Sequence, residues 1–126
     1  MSMKPVLLVD DDPGILQVVK AILEMKGVTV YTADNGRACL EELKKGFKGL
    51  ILLDIMMPEM NGWEVVKTMI ETGYTEGNLI CMFTAKPSPD PVLAEYAQYV
   101  LGYICKPFDA EALVKTVYEY LAFLDR

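Results

Sequence analysis

Five short, almost unbroken apolar runs recur along the chain, and each is followed by a segment whose apolar residues repeat at helical spacing. Continuous apolar runs are the mark of strands buried on both faces, and the 3.6 period between them marks amphipathic helices. The predicted strands are Val6 to Val9, Val28 to Thr32, Leu50 to Leu53, Leu79 to Phe83 and Tyr103 to Cys105. The first helix carries Ile15, Val18, Val19 and Ile22 up to Gly27, and the second opens at Asn35-Gly36 with Ala38, Leu40 and Leu43. A third starts at Gly62 with Val65, Val66, Met69 and Ile70; a fourth spans Pro91 to Val100; a fifth, from Asp109, carries Leu113, Val117, Leu121 and Leu124. Strands alternating with helices fold as a parallel sheet covered on both sides. Ligands of such folds bind in the crevice outside the carboxyl ends of the strands, where the strand order reverses.

The polar residues gather at those ends. Asp10, Asp11 and Asp12 follow the first strand, Asp54 the third, Thr84 the fourth, and Lys106-Pro107 the fifth. Two carboxylates about 4 Å apart repel by roughly 4 kcal/mol at an effective dielectric near 20, so crowding three at one strand end calls for a counter-charge or a division of roles. Asp12 precedes Pro13 and reads as a helix N-cap with proline at the first helical position. The residues alone leave open which two of the three acids meet a metal ion, because adjacent strand residues point to opposite faces.

Composition removes several alternatives. The chain has 126 residues, the size of one domain, so a single domain over 1–126 is expected. It lacks histidine, which excludes histidine-activated nucleophiles and histidine metal sites. A net charge of −6 argues against direct contact with nucleic acid, which needs a concentrated basic patch. No apolar stretch is long enough for a membrane span, and MSMKPV does not look like an export leader, so the cytoplasm is the expected compartment. Cys39, Cys81 and Cys105 lack metal-ligand spacing and read as buried small hydrophobes. Met56, Met57 and Met60 flank hard oxygen donors and read as packing and loop-shaping residues, Glu41, Glu42, Lys44 and Lys45 as a solvated helix face, and Trp63 as a helix residue near the rim of the site.

The stretches VDDDP, LLDIMMPEMNG, FTAK and YICKPF, in this order and at these strand ends, resemble the receiver domain of two-component response regulators over essentially the whole chain. The resemblance implies an α/β fold, a (βα)5 doubly wound five-stranded parallel sheet in the flavodoxin-like order 2-1-3-4-5. It implies that Asp54 is the phospho-acceptor and that Asp10 and Asp11, with Asp54 and the backbone carbonyl of Met56, hold Mg2+ or Mn2+. Lys106 and Thr84 then grip the phosphoryl oxygens, and Tyr103 moves with Thr84 as a switch. A cis bond before Pro107 is compatible with the family, and Met56 and Lys86 fall along the approach of the hydrolytic water. The implied role is a regulatory phospho-acceptor that catalyses only its own phosphorylation and dephosphorylation. The implied partners are a sensor histidine kinase or a histidine phosphotransfer protein, and an output partner or second copy on the face formed by helix four, strand five and helix five. Tyr96, Tyr99 and Tyr118 are expected to line that face.

The chain departs from the family in two places. Leu101-Gly102 stands where many receivers carry an acidic pair used in salt-bridged dimers, and KPSPDP after Thr84 is expected to stiffen the loop before helix four. Other classes fit less well. A flavin binder needs a hydroxyl- and glycine-rich loop where this chain has acids, and an aspartyl phosphatase places its nucleophile after strand one. The remaining alternative is a scaffold of the same fold that binds partners regardless of phosphorylation.

Overall fold

The computed structural model describes residues 3–85 and 91–125, with backbone alone for 91–94. Five parallel strands, β1 (Val6–Val9), β2 (Val30–Ala33), β3 (Leu50–Leu53), β4 (Leu79–Thr84) and β5 (Gly102–Cys105), pair in the order β2-β1-β3-β4-β5. This is the expected order. All residues of β1 and β3 are buried, as a central strand covered on both faces requires.

Alternation along the strands sorts their side chains into two layers. Leu7, Val9, Ile51, Leu53, Ile80 and Met82 face Cys39 and Leu43 of α2 (Gly36–Lys44) and Trp63, Val65, Val66 and Met69 of α3 (Gly62–Thr72). Val6, Leu8, Leu50, Leu52, Cys81 and Phe83 face Val19 and Leu23 of α1 (Pro13–Met25) and Leu113, Val117 and Leu121 of α4 (Ala110–Leu124). Each fully buried Leu, Ile or Val stabilises by about 1.5–3 kcal/mol, so these layers supply most of the favourable energy.

Two elements differ from expectation. Val28 is not strand: Gly27, at φ 82, reverses the chain, its N–H donates to the Glu24 carbonyl and that of Val28 to the Leu23 carbonyl, both at 3.1 Å. This paired arrangement closes α1, and Val28 packs with Leu23 in the same layer, so its apolar side chain serves the cap. The fourth helix is a 3-10 helix, η1 (Pro91–Tyr99), which makes the last helix α4. At three residues per turn Ala97 and Val100 eclipse, both pack on the α3 side, and the Val100 N–H donates to the Ala97 carbonyl at 3.0 Å. Residues 86–90 of KPSPDP, Lys86 included, lie outside the described residues.

The tyrosines also sort differently. Tyr118 does not join Tyr96 and Tyr99; its hydroxyl donates to the Lys26 carbonyl at 2.6 Å, which turns it toward α1. Two residues on, some 200° around the helix, Tyr120 reaches the β5 edge instead, with its hydroxyl where a side chain on Gly102 would have to sit. Among the described residues no helix is long and apolar enough to cross a membrane.

Candidate functional site

The β1 and β3 ends lie side by side, with Val9 opposite Leu53, and the strand order reverses between them. Asp10 and Asp54 continue these strands as buried carboxylates, 1% and 4% exposed, while Asp11 is exposed. Oxygen atoms of Asp10, Asp11 and Asp54 come within 4.8 Å of one another. Asp12 stands apart from them. Its side chain accepts from the Gly14 N–H at 2.9 Å as the α1 N-cap, with Pro13 beginning the helix, and its own N–H donates to Asp10 Oδ1 at 2.9 Å. The third carboxylate is therefore the helix cap, and it orients Asp10 through its amide.

Lys106 supplies the counter-charge. Although β5 is separated from β1 by β3 and β4, the Lys106 Nζ lies 2.5 Å from Asp10 Oδ2 and 3.6 Å from Asp54 Oδ2. The Lys106–Pro107 bond is cis, and the Lys106 N–H donates to the Thr84 carbonyl at 2.9 Å. The ammonium also stands 5.2 Å from the centre of the Phe83 ring, which packs edge-to-face on Phe108. Phe83 was missed from the sequence, where it reads only as the last apolar residue of a strand. Its support of Lys106 depends on the pairing of β4 with β5.

Asp54 is held by its own loop. The Met56 N–H donates to Asp54 Oδ1 at 3.2 Å, and the Gly62 N–H donates to the Ile55 carbonyl at 2.9 Å. A Cβ on Gly62 would come within 2.5 Å of the Asp54 carbonyl oxygen, so only glycine lets α3 start this close to β3. Asn61 caps α3 with a reciprocal capping box to Glu64. Burial pushes the Asp54 carboxyl up to about 6, the Asp10 and Asp11 charges add to the rise, and Lys106 and the Met56 N–H oppose it.

Thr84 is fully buried at the end of β4, opposite Cys105. Since Met82 is opposite Tyr103, Thr84 and Tyr103 share one sheet face, that of α3 and η1. The Tyr103 hydroxyl is buried without a hydrogen-bond partner among the described residues. Met57 is buried and Met60 packs against the core, as expected, but Met56 is 60% exposed and packs little. Cys39 and Cys81 are buried, whereas Cys105 is exposed, because it ends β5 at the edge of the sheet.

A family model described as the response regulator receiver domain matches residues 6–118. The chain is 37% identical over 119 residues to the transcriptional regulatory protein CpxR of Escherichia coli K12, covering 91% of this chain and 48% of that protein. It is 29% identical over 120 residues to the protein PilH of Pseudomonas aeruginosa, covering 95% of this chain and 99% of that one. The chain thus spans about half the length of CpxR and nearly all of PilH. Among solved structures, a CheY-like response regulator receiver domain protein from Methanospirillum hungatei JF-1 superposes with a TM-score of 0.92 at 40% identity, over 97% of each chain. With the fold, the acid cluster and the family model all coinciding on the same residues, the chain belongs to the response regulator receiver domain family.

Proposed function

We propose that Asp54 is the residue through which this receiver domain is switched, accepting a phosphoryl group from a sensor histidine kinase or a histidine phosphotransfer protein in the cytoplasm. The observation that carries the proposal is the meeting of Asp10, Asp11 and Asp54 within 4.8 Å beside the Lys106 ammonium. In the transfer an Asp54 carboxylate oxygen attacks phosphorus, an O–P bond forms as the donor N–P bond breaks, and the electron pair leaves on the imidazole nitrogen.

The donor set fits a hard divalent cation. All three side chains offer oxygen, and a single lysine leaves the cluster net negative. Asp10, Asp11, Asp54 and the Met56 carbonyl would hold Mg2+ or Mn2+. When bound, such an ion screens the approach of one anion to another and stabilises the phosphoryl oxygens. Lys106 lies close enough to Asp54 to offer a second positive charge to those oxygens, and the Thr84 hydroxyl at the end of β4 would bond them. The domain then catalyses only its own phosphorylation and dephosphorylation, and its output passes to a partner or second copy over η1, β5 and α4, where Tyr96 and Tyr99 lie.

Intact-mass measurement after incubation with magnesium and a small acyl-phosphate donor tests this reading. One phosphoryl group is expected on the wild-type chain and none on Asp54→Asn. Equal labelling of both would overturn the assignment, and absence of labelling in both would favour a scaffold that works without phosphorylation.

A further inference from the structure

The methionines of the β3–α3 loop are treated unequally by the fold. Met57 is 7% exposed and Met60 packs on the core, but Met56 leaves its thioether 60% exposed. Its backbone is fixed beside the buried Asp54 carboxylate by the 3.2 Å bond from the Met56 N–H to Asp54 Oδ1. Asp54 is 4% exposed, so an exposed, polar group on the residue two positions on is well placed to meet water that approaches it. A thioether cannot orient water there, being only a weak acceptor.

We propose that Met56 is an oxidative modification site whose sulfoxide shortens the life of the phosphorylated state; the inference rests on Asp54 being the acceptor. The oxidant is a peroxide. The sulfur lone pair attacks one oxygen of hydrogen peroxide, an S–O bond forms as the O–O bond breaks, and the other oxygen takes the proton from the transferred oxygen and leaves as water. Sulfur loses two electrons and the peroxide gains them. The product is a polar side chain of nearly the same length whose oxygen is a strong hydrogen-bond acceptor. Carried on a residue whose backbone is bonded to Asp54, that oxygen would accept a hydrogen bond from an entering water and turn its lone pair toward phosphorus. Met57, Met69 and Met82 are buried and so protected, and among the described methionines the exposed ones are Met56 and the distant Met25, 85% exposed at the end of α1.

The test measures decay of the acyl phosphate, by intact mass, on chains treated with graded hydrogen peroxide and mapped by peptide mass. Wild type and Met25→Leu should lose phosphate roughly 2- to 10-fold faster once Met56 is oxidised, about the effect of one net hydrogen bond. Met56→Leu, which keeps the backbone carbonyl and lacks sulfur, should decay at one rate before and after peroxide. Met56→Gln should decay faster than Met56→Leu without peroxide. A lifetime unchanged by Met56 oxidation, or equally changed in Met56→Leu, would overturn the inference while leaving Asp54 as acceptor. Failure of the untreated wild type to label would instead remove the reading on which it rests.

Discussion

The Lys106 ammonium lies closer to Asp10 than to Asp54, 2.5 Å against 3.6 Å, so in this structure it pairs first with Asp10 and only second with Asp54. A cation entering among the carboxylates meets that charge at short range. Lys106→Met should therefore bind Mg2+ more tightly, by roughly 3- to 10-fold for a repulsion of about 1 kcal/mol in a partly solvated site. It should also raise the Asp54 titration further, because Lys106 is the main group holding it down. Calorimetric titration checks the first effect; equal affinity in variant and wild type would contradict it.

Asp54 should set the pH dependence of stability when divalent ions are chelated. Its carboxyl is raised from 3.8 to about 6 in the fold, so its contribution is fully present below about pH 4 and is lost as pH rises through 6. Asp54→Asn carries no such loss. In EDTA its advantage over wild type should grow between pH 4 and pH 7 by about 1–2 kcal/mol, allowing for solvent screening. Urea unfolding at the two pH values measures it, and a constant difference would refute it.

Glu59 is strained. It is a non-glycine residue at φ 67, in a tight turn where the Met60 N–H donates to the Pro58 carbonyl at 2.7 Å. Glu59→Gly should stabilise the chain by about 0.5–1 kcal/mol, the relief of the left-handed conformation outweighing the added freedom of the unfolded chain. Thermal melts of the two proteins settle the sign.

Thr84 and Tyr103 should respond together to a phosphoryl mimic. They share a sheet face, and the Tyr103 hydroxyl is buried without a hydrogen-bond partner among the described residues, which favours a second arrangement. Beryllofluoride with magnesium should shift the NMR signals of Tyr103 and of Tyr96 and Ala97 in η1. Changes limited to the loops around Asp10 and Asp54 would rule out this route to the output face.

The central strands could be read to the residue because they are buried on both sides, which leaves a continuous apolar run with sharp polar ends. Peripheral features were less legible. Val28 looked like strand because an apolar residue closing a helix and one starting a strand are alike without the backbone angle of Gly27. Cys105 looked buried because its neighbours are apolar, but an edge strand ends in solvent. Tyr118 was expected beside Tyr96 and Tyr99 because the rotation of α4 about its axis, which turns it toward Lys26, is not written in the sequence. The site itself was legible in its residue types and strand-end positions, whereas the closer pairing of Lys106 with Asp10 was not. That pairing depends on the strand order and on how far the lysine reaches over two intervening strands.

The two side-chain layers are divided by the sheet, and this gives the fold an acoustic property, like two rooms sharing one wall. A cavity opened on the α2 and α3 side, as by Val66→Ala, and one opened on the α1 and α4 side, as by Val117→Ala, have no side-chain neighbours in common and should add to within about 0.5 kcal/mol. The wall ends at the strand tips, where Thr84 belongs to one side and Lys106, over Phe83, to the other. A charge added at Asp54 would be expected to be audible in both rooms, through Thr84 in one and Lys106 in the other.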